Sequence, residues 1–196
     1  MKRKRKSGSK RAPWNRGKVI GQKLPLSLKQ IRSIRSRLKS DRRMRELALF
    51  NLAIDSNLSA NDIIELRVRD IVRGRHILSR ATMAQLESRR SIQFEITDET
   101  RDSVAAWIAH KELKAGQYLF PSRLSESPHL STRQYARLVA SWVRSIGLNP
   151  KVYGTQSLRR TKAVFIYRRT KSLLAAQLFL GHTRLRSTAR FLGIED

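Results

Sequence analysis

The residues best equipped for chemistry lie towards the C-terminal end. Gln156-Ser157-Leu158-Arg159-Arg160-Thr161 sets two adjacent guanidiniums into a helical pattern, and Lys162 follows at once. Leu180-Gly181-His182-Thr183 adds an imidazole after a Leu-Gly turn, and Thr188-Ala189-Arg190-Phe191-Leu192-Gly193 closes the series. Arginine offers phosphate a planar fork of donors, and histidine can carry a proton near neutral pH. Each residue has a plainer use as well. Arg159 either pairs with a phosphate or belongs, with Arg160 and Lys162, to a solvated basic helix face. His182 either approaches the same phosphate or caps and packs the helix that follows it. The chain has no cysteine, which excludes thiol catalysis, disulfides and zinc-thiolate sites. No metal-ligand spacing occurs, so neither a metal nor a cofactor is expected.

Charge points to the partner. The chain carries 42 Lys+Arg against 15 Asp+Glu, a formal net charge of +27. Its first 23 residues hold ten of the basic side chains and no acidic one, leaving 32 against 15 in the body. A basic body behind a basic tail is the footprint of a polyanion, and double-stranded DNA is the expected partner. An anionic membrane surface is the lesser alternative, because no stretch joins basic charge to an amphipathic, aromatic-anchored face. No apolar run reaches the length of a membrane span, and no apolar segment follows the N-terminal charges as in a secretory signal. The expected location is the bacterial cytoplasm, on the nucleoid or a plasmid. Like-charge repulsion predicts a monomer in the absence of DNA.

These groups need elements to hold them. Residues 1–25 read as a basic, disordered arm whose Lys2, Arg3, Lys4, Arg5, Lys6, Lys10 and Arg11 would contact DNA. Residues 26–196 read as one DNA-binding domain. Ser27 is a plausible cap for a helix bearing Leu28, Ile31, Ile34 and Leu38, and a second helix is expected over about 41–55. Ser59, three residues before Asp62, looks like the start of a short helix. Alternation of apolar and polar residues over about 68–96 predicts a small three-stranded antiparallel sheet with its tip near 87–90. Helical patterns return over 98–113, from Ser131 or Thr132 to Ile146, and over about 155–169, 172–180 and 184–191. Trp107 and Trp142 read as core, and so does Phe191. The expected class is α+β, mainly α-helical.

The C-terminal motifs resemble, in order and spacing, the end of a tyrosine-recombinase (phage-integrase) catalytic domain. That family reads His-x-x-Arg, then Leu-Gly-His, then a nucleophilic tyrosine nine residues on. The likeness extends through Asn51-Leu52-Ala53-Ile54-Asp55-Ser56-Asn57-Leu58 with Ile64-Glu65-Leu66-Arg67, and Tyr118-Leu119-Phe120-Pro121-Ser122 is similar to the family's "LFPS" stretch. It covers about 27–196. The family's N-terminal core-binding domain has no counterpart here, where the basic arm stands in its place. The chain also runs only five residues past Phe191.

The resemblance implies a tyrosine-recombinase fold and, for the family, a metal-free transesterification in which a tyrosine attacks a DNA phosphodiester. Arginines and a histidine or tryptophan there stabilise the phosphorane, and a hairpin lysine protonates the leaving oxygen. Carried over one at a time, the first arginine falls on Ser59, the hairpin lysine on about Glu87, the first histidine on Gln156 and the nucleophile on Phe191. The second arginine is retained as Arg159 and the later histidine as His182. Arg160 and Lys162 join them as expected phosphate contacts. Phenylalanine has no oxygen with which to attack. The resulting expectation is a catalytically dead recombinase that binds DNA as a regulator, recombination accessory or architectural factor. The alternative is an active recombinase or integrase using displaced groups, for example Tyr167 or an activated water. A third possibility is an interaction module seated in a recombinase assembly.

Overall fold

The structure, a computed structural model, describes residues 22–84, 91–123 and 127–194. The arm residues Lys2 to Arg11, Trp14 and the hairpin tip with Glu87 lie outside the described residues. Helix α1 (Leu28–Ser40) begins where expected. Ser27 Oγ accepts from the Gln30 amide while Gln30 Oε1 accepts from the Ser27 amide. That reciprocal cap satisfies two donors the first turn cannot pair internally. Its inward stripe is Ile31, Ile34 and Leu38.

Helix α2 (Met44–Asp55) is the axis of the domain. From Ala48 to Asp55 every residue is buried, so apolar groups surround it rather than lining one face. Trp142 packs edge-on to Phe50, with ring centroids 5.5 Å apart, and donates its indole N–H to Glu46 Oε2 at 2.6 Å. The buried Asn51 accepts from Arg35 Nε at 2.7 Å and donates to Ser103 Oγ at 3.0 Å. Helix α3 (Ala60–Glu65) opens on the predicted Ser59 cap, with Asp62 completing the box. Helix α5 (Asp98–Lys111) packs against α2, and α6 (Thr132–Ser145) starts at Ser131, one of the two expected caps.

The middle of the chain keeps the small antiparallel character but differs in detail. Val68–Ile71 is a helical turn, α4, because the Asp70 carboxylate accepts from the Arg67 amide and caps it. Val68 and Ile71 are buried three apart, a helical spacing that a short stretch of alternation imitates. Among the described residues the strands then form two two-stranded ladders rather than one three-stranded sheet. β1 (Val72–Arg73) pairs with β2 (His76–Ile77), and β3 (Arg80–Ala84) pairs with β4 (Ser91–Glu95). In β4, Ile92 and Phe94 face the core while Ser91, Gln93 and Glu95 face out.

Three helices complete the chain: α7 (Thr155–Thr170), α8 (Leu173–Leu180) and α9 (Leu185–Leu192). Gly181 ends α8 with φ +68, a left-handed conformation that suits glycine, and so turns the chain towards His182. Residues 22–26 run as a strap across this end of the molecule. The Leu26 amide donates to Thr161 Oγ1 at 2.9 Å, the Leu24 amide to Val152 O at 3.1 Å, and Gln22 Nε2 to Arg190 O and Phe191 O at 2.6 and 3.0 Å.

Candidate DNA phosphate site

Ser59, Gln156 and Arg159 are far apart in sequence and converge on one cavity of about 240 Å³. Ser59 arrives from the cap of α3, and Gln156 and Arg159 from the first turns of α7. Helix α7 is sixteen residues long and has no side-chain cap from Gly154, so its positive end faces the cavity through Thr155 and Gln156. An anion placed here would meet that dipole and the Arg159 guanidinium together.

The retained histidine stands beside them. The His182 ring meets Phe191 edge to face, with centroids 5.4 Å apart, and its Nδ1 lies 3.1 Å from the buried Thr188 hydroxyl. Arg159 reaches Leu180 O at 3.4 Å, and its guanidinium carbon lies 5.9 Å from the Phe191 ring centre. Phe191 is half-buried rather than core, with the Arg160 guanidinium carbon 5.1 Å from its ring centre. Thr188 is the buried residue of α9, so this short helix has little core into which to sink the ring.

Arg160 and Lys162 are placed otherwise than a shared basic face would put them. Arg160 is only 5% exposed and donates through Nη1 to Lys23 O, anchoring the strap. Burial lowers its pKa. Lys162 donates to Asp55 O at 2.9 Å and lies 3.5 Å from Glu95 Oε2. It borders a separate groove of about 450 Å³ together with Arg80, Gln93 and Phe179. Of the four expected phosphate contacts, Arg159 borders the cavity and His182 adjoins it, whereas Arg160 contacts the strap and Lys162 the Asp55 carbonyl.

Tyr135, at helical spacing from Val139 and Trp142, is a core residue that also serves the site. It is 2% exposed, yet it borders the same cavity. That spacing hides its second role. Burial raises its phenol pKa, so it stays neutral at ordinary pH. Sequence reasoning passed over Asn57. Its amide donates to Phe179 O and ties the turn before Ser59 to α8.

His182 has its pKa lowered from 6.5, first by burial and then by the charge of Arg159. The folded chain therefore binds this proton less readily than the unfolded one. The histidine's share of stability is complete above the unfolded value and is lost as pH falls through the folded pKa. A phosphate docked beside Arg159 would favour the imidazolium, so DNA affinity should rise over that same descent. Denaturation and DNA-binding curves measured against pH should show both trends in the natural chain and flattened ones in His182→Gln. Parallel curves for the two proteins would remove His182 from the site.

Comparison with known proteins places this geometry. The model of the phage integrase family matches residues 25–195. The chain belongs to the phage integrase family. A Bacillus subtilis (strain 168) protein named "Probable integrase/recombinase YoeC" is 29% identical over 170 residues, covering 87% of this chain and 88% of that protein. XerA recombinase shares the fold with a TM-score of 0.71 at 17% identity, over 88% of this chain and 60% of that one. XerH recombinase, solved bound to its difH substrate, gives 0.67 at 18% identity, over 86% and 51%. The chain thus spans between half and three-fifths of these solved phage-integrase-like chains. The expectation of a catalytically dead protein is corrected here. The family and the curated relative are recombinases and integrases by name, and nothing in the structure shows this member to be inactive.

Among the described residues no helix is long and apolar enough to cross a membrane.

Proposed function

We propose that this phage-integrase member acts on double-stranded DNA in recombination or integration, seating a backbone phosphate in the cavity of Ser59, Gln156 and Arg159. The observation that carries this reading is the convergence of those three residues, with His182 beside them, at the open end of α7. Arg159 supplies the charge, Gln156 and Ser59 supply neutral hydrogen-bonding groups, and the net charge of +27 supplies long-range attraction. The strap brings the chain in from the arm beside Phe191. The basic residues Lys2, Arg3, Lys4, Arg5, Lys6, Lys10 and Arg11 would then follow the duplex away from that point. Without DNA, the same charge keeps copies of the chain apart.

Binding of a short duplex should weaken steeply with salt, log K falling linearly with log[salt]. Removing residues 1–21 should lower both affinity and slope while the strap and core remain. Fluorescence anisotropy across a salt series would measure it, and a truncated chain with the same slope would deny the arm a role on DNA.

A second reading concerns strand transfer itself. Phe191 has no oxygen, so any covalent step needs another nucleophile. Ser59 Oγ donates to the Asp62 carboxylate at 2.7 Å and borders the cavity that holds Arg159. In such an attack the Ser59 proton passes to the Asp62 carboxylate and an Oγ–P bond forms. The bond from phosphorus to one deoxyribose oxygen breaks, freeing that oxygen as a hydroxyl that takes its proton from solvent, while Arg159 stabilises the charge on the phosphoryl oxygens. Tyr135 is less suited because burial holds its phenol neutral. Tyr167 lies eight positions beyond Arg159 on α7, about 12 Å of helical rise away. On this reading, a nicked duplex traps a covalent complex that survives denaturant, persists in Phe191→Ala and disappears in Ser59→Ala. Duplex recovered free of protein from the natural chain would leave this member with DNA binding alone.

A further inference from the structure

At the other end of α2 lies a second cavity that the phosphate site does not use. It measures about 220 Å³ and is bordered by Arg42, Arg43, Arg45, Arg123, His110 and Glu46. Among the described residues the lining carries four arginines and one carboxylate. That carboxylate is already engaged: Glu46 Oε2 accepts from Trp142 Nε1 at 2.6 Å and from Arg43 Nη1 at 3.2 Å. The remaining positive charge is concentrated, and part of it is buried. Arg45 is 7% exposed, with Nη2 donating to Pro121 O at 2.8 Å and a buried Nε that has no hydrogen-bond partner.

A buried guanidinium N–H with no acceptor is costly, and so is the approach of like charges. Burial and the charge of Arg123 both lower the Arg45 pKa, with Glu46 opposing them. The end of α2 adds to the field. Arg43 occupies its N-cap without a side-chain cap bond, so the helix presents its positive end at the same place. The cavity has room for several waters at about 30 Å³ each, enough for a tetrahedral oxyanion.

We propose that this cavity is a second oxyanion site that binds a phosphate group between Arg42, Arg45 and Arg123 at the N-terminus of α2. Helix α2 has twelve residues, about 18 Å of rise, so the ligand here is separate from the phosphate beside Arg159. A phosphate relieves what the cavity otherwise leaves unbalanced. It accepts from converging guanidinium donors, neutralises the repulsion between Arg45 and Arg123, and meets the helix dipole. The group could be a free phosphate or phosphomonoester, or a phosphodiester of DNA that reaches this face. The chemistry of recognition is the same in each case.

The test uses the full chain and inorganic phosphate. Nitrogen-edited NMR would follow the Arg45 Nε–H resonance during titration at fixed ionic strength, with chloride as the control anion. A saturable shift with phosphate and none with chloride is expected. Arg42 and Arg123 are exposed and outside the core, so Arg42→Asn combined with Arg123→Gln tests the site without unfolding it. Arg42 has φ 54, a region asparagine tolerates. The double variant should bind phosphate at least about tenfold more weakly, since two charge-assisted hydrogen bonds are lost. Equal responses to phosphate and chloride, or undiminished affinity in the double variant, would overturn the proposal.

Repeating the titration with a saturating short duplex identifies the source. If the duplex itself shifts the Arg45 resonance and blocks phosphate, the site takes DNA phosphodiesters. If phosphate still binds beside the duplex, the site takes a free or terminal phosphate. Either result sustains the oxyanion site. Arg159→Ala should leave the phosphate response intact, so failure of the DNA reading and failure of this one are separable.

Discussion

Replacing Asp55 by alanine is expected to destabilise the domain by about 1–3 kcal/mol, the cost of leaving a buried donor without its acceptor. Asp55 Oδ2 accepts three hydrogen bonds: from the Thr97 amide at 2.9 Å, the Thr97 hydroxyl at 2.6 Å and the Thr100 hydroxyl at 2.7 Å. Asp55 is 5% exposed and Thr100 fully buried, so water cannot replace the acceptor lost to the Thr100 hydroxyl, whereas the Thr97 amide and hydroxyl belong to an exposed residue and can turn to solvent. The buried Thr100 hydroxyl left alone costs about 1–3 kcal/mol, and the two solvent-accessible Thr97 donors add little. The carboxylate also sits at the N-terminus of α5, where negative charge is favoured. Lys162 grips the Asp55 carbonyl, so the same residue joins α2, α5 and α7. Asp55→Asn keeps one acceptor oxygen and should lose less. Urea unfolding with an unchanged m value would measure both variants. A midpoint no lower in Asp55→Ala than in an exposed-site control would show that the knot is not holding these helices.

Much of this arrangement is readable in the sequence because local chemistry dictates it. Ser27, Ser59 and Ser131 are followed three residues later by Gln30, Asp62 and Gln134, and all three pairs form reciprocal caps. The order of motifs through Arg159 and His182 carries the family, because those residues keep their places on α7 and after α8. The extended stretch at Tyr118 is bridged to Arg67 and buries Leu119 and Phe120 completely.

What escapes the sequence is which segment covers which face. Arg160 follows Arg159 and precedes Lys162, a run that looks solvated. Helix α7 is instead covered by the strap, which turns Arg160 into a buried anchor for Lys23 O. Periodicity reports the faces of one helix, not the loop that crosses them. Phe191 was expected to fill a core slot, yet it is half-buried, edge to face with the His182 ring and near the Arg159 and Arg160 guanidiniums. Val68–Ile71 shows the opposite failure. One side-chain cap from Asp70 outweighs an apparent strand alternation over so few residues. The arginine cavity at α2 was not legible at all. Arg42, Arg43 and Arg45 look like surface charge until Arg123 and His110 arrive from distant segments to enclose them.

Arg159→Ala is expected to weaken binding to duplex DNA by about 1–3 kcal/mol, the worth of a charge-assisted hydrogen bond made by a guanidinium in a partly buried site. The size follows from its position. Arg159 borders the cavity with Ser59 and Gln156, beside the positive end of α7, where bulk water screens a phosphate less than at the open surface. Removing one phosphate contact should also reduce the magnitude of the salt slope by about 0.9. Structure and charge can be separated. Arg159 reaches Leu180 O, so alanine also loosens the turn to His182. Arg159→Lys keeps the charge but not the fork, and should retain the salt slope while losing part of the affinity. Anisotropy measured across a salt series for the three proteins would show the order natural, lysine, alanine. Equal affinities at every salt concentration would leave Arg159 a support for the turn at Leu180 alone and move the phosphate site elsewhere.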